Sequence, residues 1–107
     1  MSRRRAEYRL SPEAERDLQS IWLYTFGEWG QAQADLYIDR LVACFAEIAA
    51  QPQRGQDVGY IRLGYRRRRM GRHGIYYRVT GYGVAVIRIL HERMSVSLHL
   101  SESGDIE

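Results

Sequence analysis

The sequence contains one cysteine, no lysine and only two prolines among its 107 residues. The single cysteine, Cys44, cannot form an internal disulfide, which favours a cytoplasmic protein over a secreted, disulfide-stapled one. Cys44 lies within an apolar helical pattern, so we expect it to pack in a core rather than react. No apolar run approaches the roughly 18 residues of a membrane span, and no signal-peptide core follows the arginines at 3–5.

Residue groupings that are typical of metal and nucleotide sites are also missing. The three histidines, His73, His91 and His99, lack the close spacing of a zinc site, and the chain has no second cysteine to complete one. The glycines of the C-terminal half fall between predicted strands and not ahead of a helix, so they do not form a phosphate-binding loop. We therefore expect no metal and no cofactor.

Acidic residues are absent from the segment 58–91, which contains eight arginines. Residues 1–57 have a net charge of −2 and residues 92–107 one of −3, so positive charge is concentrated in this segment. Such a segment predicts an acidic partner, either nucleic acid or an acidic protein segment, and the alternative is a solvated basic face with no partner. The candidate binding residues are Arg66, Arg67, Arg68, Arg69, Arg72, Arg78 and Arg88.

The N-terminal half predicts a short strand followed by a helical hairpin. Residues 7–10 alternate between polar and apolar, and Ser11 followed by Pro12 is typical of a helix start. The first helix is predicted to end near Phe26, with Gly27 as its stop signal, and the second to run over residues 31–50. The short link makes the two helices antiparallel neighbours. We assign the large aromatic residues of this half to packing: Trp22, Trp29, Tyr37 and Phe45.

The C-terminal half predicts three antiparallel strands over residues 63–70, 73–80 and 84–90, joined by glycine turns. The third strand is apolar on both faces and should be central and buried. The predicted fold class is therefore α+β, with one domain over residues 6–98 and flexible termini at 1–5 and 99–107. Because one hairpin covers only one face of a sheet, we expect the other face to be small, polar or covered by something else, which suggests a missing partner.

One group of residues has the composition needed for acid–base chemistry. His91, Glu92 and Arg93 directly follow the last predicted strand. Phosphodiester cleavage needs a base, an acid and a cation that stabilises the transition state, and His91 with Arg93 or the arginine run supplies some of these. The alternative is a histidine that forms a local hydrogen bond at the end of a strand.

Several short motifs, in the same order, resemble the ParE toxins of the ParE/RelE superfamily of type II toxin–antitoxin systems. The similarity covers residues 6–98. The segments that carry it are Tyr8–Leu18, Ile21–Tyr24, Trp29–Ala34, Tyr37–Leu41, Gly64–Arg66, Gly71–Val79 and Ile87–Met94.

The resemblance implies an antiparallel sheet that carries the helical hairpin, and a ParD-like antitoxin whose C-terminal segment wraps the toxin. For ParE members it implies inhibition of DNA gyrase, so that cleaved DNA accumulates, with nucleic acid involved only indirectly. The RelE branch implies ribosome-dependent cleavage of mRNA by a basic and aromatic set, but no aromatic residue follows His91 in Glu92-Arg93-Met94.

Two main functional hypotheses follow. The first is a non-enzymatic gyrase inhibitor that is masked by its antitoxin, and the second is a ribosome-dependent endoribonuclease that uses His91 and the arginine cluster. The incomplete acid–base set favours the first. A third hypothesis is an inactive remnant that acts only as a corepressor with its antitoxin.

Overall fold

The structure, a computed structural model, describes residues 7–102. In chain order, the elements are β1 (Glu7–Leu10), α1 (Pro12–Trp29), α2 (Gln31–Ala50), a 3-10 turn (Pro52–Arg54), β2 (Gln56–Asp57), β3 (Tyr65–Met70), β4 (His73–Thr80), β5 (Gly83–His91) and α3 (Val96–Glu102). The predicted α+β class, with an N-terminal strand and a helical hairpin on a sheet, is confirmed. Within residues 7–102, no helix combines the length and apolar character needed to cross a membrane.

The start of α1 follows the predicted capping pattern. Ser11 has an extended backbone, and its hydroxyl oxygen accepts a hydrogen bond of 2.9 Å from the Ala14 backbone N–H. The same hydroxyl donates to the Ile87 carbonyl at 2.7 Å, and the Ser11 N–H donates to the Val86 carbonyl at 3.0 Å. Ser11 therefore starts the helix and also fixes it to the central strand.

The predicted end of α1 at Phe26 is wrong, because the helix continues through Gly27 to Trp29. A glycine inside a helix costs only about 1 kcal/mol relative to alanine, which the contacts of a long helix can offset. The chain turns instead at Gly30, whose φ of 92° is a backbone conformation that favours glycine. The link between α1 and α2 is therefore a single residue.

The five strands form one sheet in the order β1-β5-β4-β3-β2. As predicted, β5 is central and largely buried. The strands β2 to β5 pair antiparallel, whereas β1 pairs parallel with β5, with Tyr8 opposite Val84. The predicted first residue of β3, Leu63, lies outside the strand and is 91% exposed. Gly64, with φ of 88°, separates Leu63 from the strand.

Two apolar clusters lie on opposite faces of the sheet. The cluster under the hairpin contains Ile21, Leu41, Phe45, Ile48, Ile75, Tyr77, Val84, Val86 and Ile89. The far-side cluster contains Val58, Tyr65, Tyr76, Ala85, Ile87, Leu90 and Leu100. The segment before β3 and the helix α3 of the same chain cover part of the far face. This part is covered as expected, but by the chain itself rather than by the suggested partner.

The helix α3 was not predicted from the sequence. Its apolar residues, Val96, Leu98 and Leu100, stand at every second position, a spacing that does not indicate a helix. Leu100 is nevertheless fully buried in the far-side cluster, two residues beyond the predicted domain boundary at 98. Residues 99–102 belong to α3, and the rest of the predicted flexible termini lies outside the described residues.

Candidate functional site

The arginine run in β3 is divided between the two faces of the sheet. Side chains along a strand alternate between faces, so four consecutive arginines cannot share one surface. Arg66 pairs with Tyr77 and Arg68 with Ile75, both of which belong to the cluster under the hairpin. Arg67 pairs with Tyr76 of the far-side cluster. The run therefore supplies two arginines to each face rather than one continuous basic patch.

On the hairpin side, both arginines contact the chain itself. Arg68 forms an ion pair of 2.6 Å with Glu47 of α2. The Arg66 guanidinium donates to the Gly55 carbonyl at 2.7 Å and to the Gln53 carbonyl at 3.3 Å. These contacts tie β3 to the end of α2 and to the loop that follows it.

On the far side, Arg67 and Arg69 differ in how firmly they are held. The Arg67 guanidinium donates to the Gln56 side-chain oxygen and lies 6.0 Å from the centre of the Tyr76 ring. Arg69 has a single weak ion pair, 3.9 Å from Glu92, and its side chain is largely exposed. Arg69 is therefore the more available of the two to a partner.

Arg72 lies in the turn between β3 and β4, beside a small group of titratable residues. It forms an ion pair of 2.8 Å with Glu92. The hydroxyl of Tyr37 is 2.7 Å from Nδ1 of His73, and the rings of His73 and His91 are 5.3 Å apart. We call these five residues the turn cluster. It unites residues from α2, the β3–β4 turn, β4 and the end of β5.

Burial shifts the pKa of two residues of the turn cluster, His73 and Tyr37. Burial, reinforced by the nearby His91, lowers the pKa of His73 to about 4, so its imidazole is neutral at pH 7. Burial also raises the pKa of Tyr37. The Nδ1 atom of His91 accepts a hydrogen bond of 3.1 Å from the Arg93 backbone N–H, which is the local strand-end contact considered as an alternative above.

Arg88, one of the predicted binding residues, is held within the fold. Its guanidinium forms two hydrogen bonds with the Asp17 carboxylate of α1, at 2.9 and 3.0 Å, and the two side chains are only 14% and 13% exposed. The same carboxylate accepts from the Ile89 backbone N–H at 2.9 Å. Arg88 therefore joins α1 to the central strand. Arg78, also predicted for binding, is half-buried in β4 between its partners Tyr65 and Ala85.

Sequence reasoning missed an aromatic row on α1, in which Phe26 and Trp29 are exposed and Trp22 is partly buried. Trp22, Phe26 and Trp29, spaced by four and three residues, lie along one side of the helix. Trp22 stacks on Phe26 with ring centres 5.1 Å apart, and its indole N–H donates to Asp35 of α2. The assignment of Trp29 to packing is wrong, because this residue is 72% exposed. We call these three residues the hairpin row.

The polar surroundings of Trp29 were the available signal that it is exposed. The residue before it is Glu28, a type that is almost never fully buried. The other packing assignments agree better with the structure, since Phe45 is fully buried and Tyr37 is partly buried against the core under the hairpin. Burial raises the pKa of the Cys44 thiol, which makes this cysteine a poor nucleophile.

The fold is that of a small α+β domain, and comparison with a solved structure agrees. A chain from the chromosomal ParDE toxin–antitoxin system of Pseudomonas aeruginosa superimposes with a TM-score of 0.70. The match covers 79% of this chain and 94% of the other at 17% identity, so it supports the fold alone.

Sequence comparison identifies the family. The family model described as ParE toxin of type II toxin-antitoxin system, parDE, matches residues 8–96. Toxin ParE1 of Mycobacterium tuberculosis is 42% identical over 96 residues, which cover 89% of this chain and 98% of that protein. Toxin ParE1 of Caulobacter vibrioides is 44% identical over 93 residues, covering 87% and 96%. The chain belongs to the ParE toxin family, as its sequence motifs predicted.

Among the described residues, no group of three or more histidine, cysteine, aspartate or glutamate side chains is arranged to hold a metal ion. The pair His73 and His91 is the nearest approach to one. One nitrogen of each ring is already in a hydrogen bond, to Tyr37 and to the Arg93 backbone.

Proposed function

We propose that this ParE-family toxin inhibits DNA gyrase in the bacterial cytoplasm without catalysis of its own, and that a ParD-like antitoxin neutralises it. The observation that carries the proposal is family membership, with similarity over nearly the full length of ParE1 toxins from two bacteria. Gyrase is the target that membership in the ParE branch of the superfamily implies.

The contacts of the turn cluster support a non-enzymatic toxin. Glu92, the carboxylate nearest His91 in sequence, is ion-paired with Arg72 and Arg69. His73 is neutral and hydrogen-bonded to Tyr37. His91, at the end of the strand, is therefore the histidine of the cluster that remains as a candidate base. A general base and a general acid must both reach the reacting phosphate. The ion pairs of Glu92 with Arg72 and Arg69 compete with such a role for its carboxylate.

The hairpin row and the exposed arginines support an acidic, amphipathic antitoxin segment as the partner. An apolar row on a helical hairpin fits the apolar face of such a segment. Arg69 and Arg72, both largely exposed, offer positive charge to its acidic face. Arg88, which is occupied by Asp17, contributes to the fold that presents these surfaces.

The proposal is tested by adding the purified toxin to gyrase and measuring DNA supercoiling and trapped cleaved DNA, with a ribosome-dependent mRNA cleavage assay in parallel. Inhibited supercoiling, accumulated cleaved DNA and intact mRNA are expected. A His91→Gln variant should inhibit gyrase as well as the parent does. Cleaved mRNA with normal supercoiling, abolished by this substitution, would overturn the proposal in favour of the ribonuclease.

A further inference from the structure

A cavity of about 450 Å³ opens between the end of α2, the 3-10 turn and the strands β3 and β4. Its charged wall consists of Glu47, Arg54 and Arg68, and its inner wall includes Tyr77 and Gly55. The volume lies within the range of ligand pockets and is sufficient for one or two side chains of a bound peptide. The hairpin row and the turn cluster do not line this cavity.

The wall of the cavity carries more positive than negative charge. Glu47 is paired with Arg68, and the side chains are 61% and 38% exposed, so both are accessible to a competing group. The Arg54 guanidinium donates to the Gln51 side-chain oxygen at 2.6 Å. Because this acceptor is neutral, it does not compensate the positive charge of Arg54. One positive charge therefore remains in excess, which favours an anionic group.

The inner wall is rigid. The Tyr77 hydroxyl donates to the Pro52 carbonyl at 2.7 Å, which holds the phenol ring against the 3-10 turn. Gly55 contacts this ring so closely that a side chain at this position would collide with the Tyr77 oxygen. The cavity is therefore formed before any ligand arrives, which reduces the entropy lost on binding.

An unpaired strand edge lies next to the cavity. β2 pairs only with Arg66 and Arg67, and within residues 7–102 no strand pairs with the outer side of β3 beyond them. The Val58 N–H donates to the Tyr65 carbonyl at 2.9 Å, which shows that Tyr65 directs its backbone groups outward. Alternation along β3 then directs the backbone of Arg69 toward the open edge. Such an edge can pair with an extended peptide.

We infer that this edge and cavity together bind an extended acidic peptide segment. The backbone of the segment pairs with the backbone of Arg69. The residue of the segment that lies opposite Arg68 projects its side chain to the hairpin side of the sheet, as Arg68 does. A carboxylate at that position replaces Glu47 as the partner of Arg68. The adjacent strand edge favours a peptide over a free phosphate ion. Only the identity of the segment, as part of the antitoxin, rests on the proposed function.

The test uses the isotope-labelled protein and a short capped peptide of alternating Glu and Val, followed by NMR. The peptide should shift the Arg69 backbone amide, and a Gln–Val peptide should bind more weakly. Arg68→Gln should weaken binding by about two- to fivefold, the range of an exposed ion pair. Glu47→Gln should strengthen binding, because it removes the competing carboxylate.

Arg40→Gln is the matched control, because it removes the same charge at an exposed position of α2 that does not line the cavity. Equal weakening by Arg68→Gln and Arg40→Gln would overturn the inference, since it would show attraction to overall charge alone. An Arg69 amide that does not shift when the Glu–Val peptide is added would also overturn the inference. So would binding of inorganic phosphate at Arg68 without binding of the Glu–Val peptide. A negative gyrase assay leaves all of these measurements valid.

Discussion

Arg88 and Arg69 belong to the same sheet, yet their surroundings are opposite. Arg88 lies on the central strand, is nearly buried and is held by two hydrogen bonds to Asp17. Arg69 lies on β3, near the edge of the sheet, and is largely exposed, with one ion pair of 3.9 Å. Their positions in the sheet, rather than the residue type, separate a structural arginine from one that is available to a partner.

The comparison also divides the arginine-rich segment by energetic role. A buried charge is costly without its partner, so the Arg88–Asp17 pair makes the stability of the fold depend on both residues. An exposed pair contributes little to stability but still attracts acidic partners. We therefore expect central-strand substitutions to affect stability and β3 substitutions to affect binding.

The largest expected effect is that of Arg88→Ala, which leaves the Asp17 carboxylate with little compensation. Breaking a buried pair in this way should lower the free energy of unfolding by about 3–5 kcal/mol. Urea denaturation followed by circular dichroism measures this, and Arg69→Ala serves as the control. A loss no larger than that of the control would show that the buried pair does not stabilise the fold.

Ser11→Ala tests the attachment of α1 to the same central strand. The substitution removes the cap on the Ala14 N–H and leaves the Ile87 carbonyl without its side-chain donor. The expected loss is about 1–2 kcal/mol of unfolding free energy. Ser20→Ala, at an exposed position within α1, should be close to neutral in the same measurement. Equal effects would contradict the role assigned to Ser11.

His73 tests whether burial in the turn cluster couples stability to pH. Its pKa in the folded state is about 4, below the ordinary value of 6.5, so the unfolded chain binds the proton more readily. Stability should be complete above pH 6.5 and fall as the pH drops from 6.5 toward 4. With solvent screening, the loss should be about 1 kcal/mol.

His73→Asn separates this effect from the titration of carboxylates in the same range. Thermal melts of the parent and the variant at a series of pH values should differ in slope below pH 6.5. Parallel curves for the parent and His73→Asn would show that His73 is not held neutral by the fold.

The smallest expected effect on stability is that of Arg68→Ala on β3. Its ion pair with Glu47 is partly exposed, so the loss should be below about 1 kcal/mol and should shrink further in high salt. Urea denaturation at low and high salt measures both quantities. A loss comparable to that of Arg88→Ala would abolish the distinction between the two regions.

Much of the fold was predictable because local signals agreed with one another. Ser11 followed by Pro12 identified the start of α1, and the apolar run in β5 identified the central strand. The wrong end of α1 at Gly27 shows the limit of such signals, since the packing of a long helix outweighs one weak helix former. The helix α3 was missed because its apolar residues stand at every second position, a spacing that does not indicate a helix.

Less of the candidate site was predictable. The arginines were identified by their concentration in an acid-free segment, but sequence spacing could not show which of them are occupied within the fold. Asp17, the partner of Arg88, is more than 70 residues away in the chain. The exposure of Trp29 was missed for a related reason, because an aromatic residue on a helix predicts packing until the position of its neighbours is known.

By itself, the sequence determined the family, the order of the elements and the concentration of positive charge, because these depend on residue types and on spacing along the chain. The tertiary structure decided which arginine is buried, which faces the hairpin and which remains exposed. The alternation of side chains in β3 and the contact of α1 with β5 are responsible. Both bring together residues that are distant in sequence, and only the packed sheet specifies their distances and solvent exposure.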